Sequence, residues 1–251
     1  MNTRKRTVTA AFSAAGRYES DAEAQIRAAA LLAERLPVFS GSPQVLELGC
    51  GTGLLTRLLL EHLPPDAKLL ASDLSPAMVE QARDGLDDPR LDFAVMDAEA
   101  PGLHPASFDL VVSSLAAQWF EDLPATLHRL VGLVRPGGTL LVGTLGSGTF
   151  AQWRNAHGEL GLEAGIADYP TAAELAAMCP GAEVTSISLT ITYADARAFL
   201  RALQTIGAAT PKPGHRPLLP GSLRRIMARL GAPCTMTWDI LILTAHPAIE
   251  G

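Results

Sequence analysis

The sequence predicts an α/β fold in which a parallel sheet is covered by helices on both faces. Short apolar runs alternate with stretches of helical periodicity between residues 44 and 145, as is typical of such folds. A glycine-rich turn follows the first of these runs, and an aspartate ends the second. Both features lie at the carboxyl edge of the predicted sheet, where α/β folds bind their ligands.

Hydrophobic periodicity and turn residues predict the individual elements. Residues 7–36 are predicted to be helical, and Pro37 ends that segment. The predicted strands are Gln44–Leu48, Leu69–Ser72, Leu91–Met96, Phe108–Ser113, Thr139–Thr144, Glu183–Tyr193 and Met236–Ala245. The further helices are predicted at Leu54–His62, Pro76–Gly85, Leu123–Val134, Phe150–Leu160, Ala172–Met178, Asp195–Ile206 and Leu223–Leu230, with a turn at residues 136–138.

Composition excludes several classes of protein. With 251 residues, 48% of them hydrophobic and 18% charged, the chain can bury a large core, which a disordered or collagen-like chain cannot. No apolar run reaches the roughly 18 residues that span a bilayer, and no apolar stretch follows the basic N-terminus. The three cysteines, Cys50, Cys179 and Cys234, lack the spacing of a metal site or a disulfide framework. We therefore expect a cytoplasmic protein with no metal and no membrane contact.

Charge is distributed unevenly along the chain. The net charge of −6 argues against a nucleic-acid-binding protein. Between Ala196 and Trp238, however, there are seven basic residues and no acidic one. These residues, which we call the basic stretch, are Arg197, Arg201, Lys212, Arg216, Arg224, Arg225 and Arg229. A positively charged segment in a chain of negative net charge indicates an acidic partner.

The strongest motif is the strand–turn–helix segment at residues 45–53, VLELGCGTG. Its G-x-G-x-G spacing differs from the G-x-G-x-x-G of a dinucleotide site, and no Gly-Lys-Ser/Thr of a P-loop is present. Glycine lets the backbone approach a ligand closely. Asp73 ends the next strand, where a carboxylate can accept both hydroxyls of a ribose, and Asp97 after the third strand can accept from an adenine amino group.

This set of residues resembles the class I S-adenosylmethionine-dependent methyltransferases over residues 44–145. Phe108–Val111 and the turn at residues 133–138 also match that family's pattern in order. The resemblance implies S-adenosylmethionine as the cofactor and a Rossmann-like, doubly wound sheet of seven mostly parallel strands with an antiparallel last strand and helical insertions. The implied cofactor-binding residues are Glu47, Gly49, Cys50, Gly51, Gly53, Asp73, Leu74, Asp97, Ala98 and Ser113. Cys50 is expected to fill space in the loop rather than act as a nucleophile.

The resemblance also implies how the chain is organised. We expect one methyltransferase domain over residues 1–251. It would comprise an N-terminal helical cap at residues 1–40, a cofactor-binding core at residues 44–145, and residues 146–251, which complete the sheet and carry substrate-side insertions.

The segment after the fourth strand, residues 114–119 (SLAAQW), bears on the methyl acceptor. It lacks the Asn/Asp-Pro-Pro-aromatic sequence of enzymes that methylate nucleic-acid amino groups. It resembles both the malonyl-(acyl-carrier protein) O-methyltransferases of biotin synthesis and the trans-aconitate methyltransferases, which methylate carboxylates. Residues 12–25 and 199–208 are similar to segments of the first family, except that Gln204 stands where a lysine is expected.

A carboxylate acceptor also fits the chemistry of the chain. A carboxyl group of pKa about 4 is ionised at pH 7 and needs no general base to attack a methyl sulfonium. Positioning and removal of water can then carry the catalysis, in agreement with the absence of any Ser-His-Asp or Cys-His arrangement. The candidate catalytic residues are Tyr18, near the sulfonium, Gln118, near the cofactor or the acyl carbonyl, and Arg201, paired with the substrate carboxylate.

The sequence thus predicts methylation of the free carboxyl of malonyl-acyl carrier protein, with the acidic carrier docked on the basic stretch. Two alternatives stay open. One is a methyltransferase for a free polycarboxylate such as trans-aconitate, which would not need a basic docking face. The other is a non-catalytic protein that binds the cofactor and acts through a partner.

Overall fold

The structure is a computed structural model, and it describes residues 22–205, 212 and 214–247. Its strands are β1 Gln44–Leu48, β2 Lys68–Asp73, β3 Leu91–Val95, β4 Phe108–Ser114, β5 Val134–Leu145, β6 Glu183–Tyr193 and β7 Cys234–Ala245. Its helices are α1 Glu23–Ala33, α2 Leu54–His62, α3 Pro76–Gly85, α4 Leu123–Leu133, α5 Ala151–Gly158, α6 Ala172–Met178, α7 Ala196–Thr205 and α8 Pro220–Leu230. A short 3₁₀ turn at Ala117–Trp119 precedes α4.

The strands form one seven-stranded sheet in the order β3-β2-β1-β4-β5-β7-β6. The pairs β1–β2, β1–β4, β2–β3 and β4–β5 are parallel, and the last strands of the chain run antiparallel. This confirms the predicted fold class. The order reverses beside β1, which has β2 on one side and β4 on the other, and such a switch point opens a crevice at the carboxyl ends of the strands.

Most element bounds agree with the sequence prediction to within a few residues, but β5 and α8 begin earlier than predicted. Val134 already pairs with Phe108, and regular pairing resumes at Thr139 opposite Leu110, so the predicted turn at residues 136–138 is instead an irregularity within a strand. Glycine is required there, because a Cβ on Gly138 would lie 2.7 Å from the Asp109 carbonyl oxygen. Helix α8 starts at Pro220, since proline fits the first turn of a helix.

The chain divides into two compact units. Of the described residues, 25–144, 172–186 and 241–247 form the first, which we call the glycine-loop unit, and the others form the second, which we call the aromatic unit. The organisation of residues 1–251 as one methyltransferase domain therefore stays a prediction. In the described residues of both units, no helix has the length and apolar character needed to cross a membrane.

The core of the glycine-loop unit consists of buried aliphatic side chains. Leu46 of β1, Val111 of β4 and Leu140 of β5 are fully buried and pack with Leu127 and Leu130 of α4. Helix α4 presents these leucines at helical spacing, and its N-terminus is capped by a side-chain carboxylate. This packing holds the strands in register and so positions the loops at their carboxyl ends.

The core of the aromatic unit consists of aromatic side chains rather than aliphatic ones. Phe199 of α7 is 1% exposed, and its ring centroid lies 5.1 Å from Phe150, 5.3 Å from Tyr193 and 5.8 Å from Trp153. Trp238 of β7 meets Phe150 edge-on at 4.7 Å. Edge-to-face pairs of this kind add to the stability that burial of the rings provides.

Candidate functional site

The glycine loop, residues 49–53, joins β1 to α2 and is held by backbone hydrogen bonds. The N–H groups of Gly49 and Cys50 both donate to the Ser72 carbonyl oxygen, at 2.7 and 2.9 Å. The Gly53 N–H donates to the Cys50 carbonyl oxygen at 2.9 Å. All three glycines have positive φ, at +77° for Gly49, +53° for Gly51 and +85° for Gly53. The loop conformation therefore explains the glycine spacing on which the sequence prediction rested.

The three glycines differ in what surrounds them. A Cβ on Gly49 would lie 2.5 Å from the Ala116 Cβ, and one on Gly53 would lie 2.8 Å from Leu86. A Cβ on Gly51 would meet nothing within 4 Å. Gly49 is therefore required for packing against Ala116, and at Gly53 the positive φ favours glycine while the end of the Leu86 side chain would have to move. Gly51 faces open space that a ligand can use.

Asp73, at the end of β2, lies against this loop. Its Oδ2 accepts a hydrogen bond from the Gly51 N–H at 3.0 Å, and its Oδ1 accepts one from the Ser75 N–H at 2.8 Å. Burial raises the pKa of the Asp73 carboxyl, while the hydrogen bonds from Ser75, Gly51 and Leu74 oppose that shift. A carboxylate has about four lone-pair sites, and these three hydrogen bonds do not use all of them. Beside the open space at Gly51, the remaining capacity fits a ribose hydroxyl.

Glu47 lies beneath the loop and is only 1% exposed. Its Oε2 accepts a hydrogen bond from the Thr56 hydroxyl at 2.6 Å, and its backbone carbonyl accepts one from the Ser72 hydroxyl at 2.9 Å. Burial raises the pKa of the Glu47 carboxyl to about 7; the Thr56 hydrogen bond opposes this shift and the nearby Asp73 adds to it. The sequence prediction missed Thr56, whose only signal was a polar residue within the leucine-rich α2.

Asp97 completes this edge of the sheet. It follows β3, and its Oδ1 accepts a hydrogen bond from the Glu99 N–H at 3.0 Å. The Met96 N–H donates to the Asp73 carbonyl oxygen at 2.9 Å, which joins the ends of β2 and β3, and Ala98 packs against the aliphatic core. The glycine loop, Asp73 and Asp97 thus follow the neighbouring strands β1, β2 and β3. Together, the glycine loop and the two carboxylates fit an adenosine-containing cofactor.

Comparisons with known proteins agree with this geometry. A family model described as a methyltransferase domain matches residues 45–138. The chain is 44% identical over 218 residues to the biotin biosynthesis bifunctional protein BioCD of Bordetella avium, covering 86% of this chain and 46% of the relative. It is 38% identical over 223 residues to a malonyl-(acyl-carrier protein) O-methyltransferase of Magnetococcus marinus, covering 86% of this chain and 82% of the relative.

The chain belongs to the malonyl-(acyl-carrier protein) O-methyltransferase family. It spans about half of the bifunctional relative, but most of the single-function one. Family membership identifies the chain as a methyltransferase with S-adenosylmethionine as its cofactor.

Solved structures support the fold. The YcgJ protein of Bacillus subtilis matches this methyltransferase with a TM-score of 0.62 at 15% identity, over 89% of this chain and 99% of that one. A phosphoethanolamine N-methyltransferase of Haemonchus contortus matches with a TM-score of 0.56 at 16% identity, over 88% and 52%. At these identities the likeness concerns the fold alone.

Three predicted site residues of this methyltransferase already have partners within the chain. The Ser113 side chain is fully buried, and its hydroxyl donates to the Leu48 carbonyl oxygen at 2.8 Å, which ties β4 to β1. Gln118 donates from Nε2 to the Leu115 carbonyl oxygen at 2.6 Å. This hydrogen bond supports the backbone of Leu115, which has a φ of +50°. Cys50 is buried, and its thiol pKa is raised by burial and then by the acids Glu47 and Asp73, as suits a side chain that fills space.

The other two predicted catalytic residues are Arg201 and Tyr18. Arg201 is exposed on α7 in the aromatic unit, and Tyr18 lies outside the described residues. Of the basic stretch, Lys212 is paired with Glu163, and Arg229 is paired with Glu159. Across the described ranges, no group of three or more His, Cys, Asp or Glu side chains is arranged to hold a metal ion.

Proposed function

We propose that this methyltransferase esterifies the free carboxyl group of malonyl-acyl carrier protein and so makes the methyl ester used in pimeloyl and biotin synthesis. The strongest support is similarity to relatives of this name. The proteins from Magnetococcus marinus and Serratia marcescens are named malonyl-(acyl-carrier protein) O-methyltransferases, and the chain covers 82% and 89% of their length. The cytoplasmic location expected from the sequence is part of the same proposal.

The reaction moves one methyl group and no proton. When bound, S-adenosylmethionine supplies an electrophilic methyl on a sulfonium. A new bond forms between a carboxylate oxygen and the methyl carbon, and the sulfur–methyl bond breaks with its electron pair remaining on sulfur. A negative and a positive charge are thereby converted into a neutral ester and a neutral thioether. Because charge disappears along this path, a site that excludes water favours the reaction.

The residues of the chain then have binding and positioning tasks. We propose that Asp73 holds the ribose hydroxyls, that Asp97 accepts from the adenine amino group, and that Gly51 leaves room for the cofactor. Hydrogen bonds already fix the Asp73 carboxylate at 3.0 and 2.8 Å, so little ordering cost remains when the cofactor binds. Leu74 and Ala98 complete the wall of the same pocket. Tyr18 remains predicted to lie near the sulfonium, Gln118 near the cofactor or the acyl carbonyl, and Arg201 to pair with the malonyl carboxylate.

The partner follows from the substrate. Carrier proteins of this type are acidic, and the basic stretch provides the opposite charge. Such complementarity increases the rate of association and orients the encounter. We therefore propose docking of the carrier protein on the aromatic unit, which contains all seven basic residues.

The test is to incubate the purified protein with S-adenosylmethionine and malonyl-acyl carrier protein and to measure the intact mass of the carrier. We expect a gain of one methylene, none with acetyl-acyl carrier protein, and none with an Asp73→Asn variant that no longer binds the cofactor. No gain in a wild-type protein that binds the cofactor would overturn the proposal. Methylation of trans-aconitate instead would identify a free polycarboxylate as the substrate.

A further inference from the structure

The structure separates the basic stretch into two sets. Lys212 and Arg229 are neutralised by Glu163 and Glu159, and Arg201 also takes part in an interaction within the chain. The side chains of the other four members make no hydrogen bond or ion pair with any residue that the structure describes. They are Arg197, Arg216, Arg224 and Arg225.

Two of these four arginines line the same groove. Arg197 at the start of α7 and Arg224 on α8 border an open depression of about 380 Å³ between the two helices. Both side chains are exposed. Arg216 and Arg225 do not line it, although Arg225 is the direct neighbour of Arg224 on the same helix. The four arginines carry the same charge, but only Arg197 and Arg224 line the groove.

The lining of the groove indicates what it can bind. Met227 and Ala232 contribute apolar surface to the lining, and Asp195 contributes a carboxylate. The Asp195 Oδ1 accepts a hydrogen bond from the Ala198 N–H at 2.7 Å, so this carboxylate is held in place at the start of α7. Its negative charge repels any anion that enters the groove, a carboxylate as well as a phosphate. The anionic groups of a partner therefore have to stay beside the arginines, while an apolar side chain can lie against the apolar part of the lining.

We propose that this groove is the docking point for the acidic acyl carrier protein: one apolar side chain of the carrier lies against Met227, and carboxylates beside it pair with Arg197 and Arg224. The identity of the partner rests on the proposed function. Unpaired cations attract an acidic protein at a distance and can pair with it at contact. Lys212 and Arg229 would first have to exchange Glu163 and Glu159, respectively, for the new partner, which offsets the gain in binding free energy.

The experiment compares two double charge reversals that change net charge equally. The groove variant is Arg197→Glu/Arg224→Glu, and the matched control is Arg216→Glu/Arg225→Glu. Binding of the carrier protein is measured by titration calorimetry, and kcat/KM is measured with malonyl-acyl carrier protein and with malonyl-coenzyme A. Cofactor binding by each variant establishes that it is folded.

We expect the groove variant to lose about 10- to 100-fold in carrier affinity and in kcat/KM for malonyl-acyl carrier protein, whereas the control loses less than about threefold. Cofactor affinity and transfer to malonyl-coenzyme A should not change in either. A Met227→Asp variant should reproduce the groove defect, whereas an Arg201→Gln variant should impair transfer to both malonyl thioesters.

Equal losses in the two double variants would overturn the proposal, because long-range attraction by net charge would then suffice. Undiminished carrier binding in the groove variant would overturn it as well and place docking elsewhere. In both cases wild-type transfer to malonyl-acyl carrier protein would still support the proposed function. Only the absence of that transfer in the wild-type protein would mean that the proposed function itself had failed.

Discussion

The glycine loop and the groove between α7 and α8 differ in how far their polar groups already have partners. Around the loop, Asp73 accepts two backbone hydrogen bonds and Glu47 accepts one from Thr56. In the groove, Arg197 and Arg224 have no partner among the described residues. A small ligand of constant shape is bound best by groups that are fixed beforehand. A protein partner attracted through solvent is served by free surface charge. Polar groups with partners and polar groups without them therefore mark two kinds of binding surface in one chain.

The largest effect is expected in the core of the aromatic unit. Replacing the buried Phe199 by alanine removes three ring contacts and should lower the free energy of unfolding by about 3–5 kcal/mol. Chemical denaturation measures this loss. Phe199→Leu should cost clearly less, because most of the volume is kept. If alanine cost less than about 1 kcal/mol, the rings would not form a core as we describe.

Glycine substitutions in the loop should separate packing from ligand space. Gly49→Ala and Gly51→Ala share the strain of positive φ, but only Gly49→Ala places a Cβ 2.5 Å from Ala116. We expect Gly49→Ala to be less stable than Gly51→Ala by about 1–3 kcal/mol in thermal unfolding. Gly51→Ala should stay folded but bind the cofactor at least about tenfold more weakly in calorimetry. Unchanged binding by Gly51→Ala would show that the cofactor does not use this space.

A pH effect should follow from Glu47. Since burial raises its pKa to about 7, the folded protein binds the Glu47 proton more tightly than the unfolded chain does. Stability should therefore fall as the pH rises from about 4.5 to 7 and change no further above that. Glu47→Gln should remove this slope and be more stable than the wild type at pH 8, by up to about 3 kcal/mol.

Denaturation curves of the protein without cofactor, measured between pH 5 and pH 8, test this expectation. Glu61→Gln is the control, because it removes the same charge from an exposed position on α2. It should retain the slope. A Glu47→Gln variant with the wild-type slope would mean that another buried group titrates in this range.

The smallest effect is expected from the neutralised pair of Lys212 and Glu163. A Lys212→Gln/Glu163→Gln variant keeps the net charge, and its carrier affinity should stay within about twofold of the wild type. An Arg197→Gln/Arg224→Gln variant should weaken binding clearly in the same calorimetric assay. Equal weakening by both variants would remove the distinction between partnered and free cations.

Local patterns predicted the ligand-binding edge of the sheet well. Alternating apolar runs and helical periodicity depend on neighbours in the chain, so the bounds of β1, α2, α3 and β6 agree with the prediction. The same holds for the positions of Asp73 and Asp97 at the ends of strands. The early start of β5 was missed, because residues 136–138 read as a turn until the partner strand is known.

What the sequence alone determined was the order of the elements, the glycine loop with its two acids, and the concentration of basic residues between Ala196 and Trp238. Folding was needed to establish which glycine faces Ala116 and which faces open space, that Thr56 supports Glu47, and which arginine side chains lack a partner. These features depend on residues that are far apart in the sequence. Glu163 lies 49 positions from Lys212 and Ala116 lies 67 from Gly49, so folding has to bring them together before their charges and volumes interact.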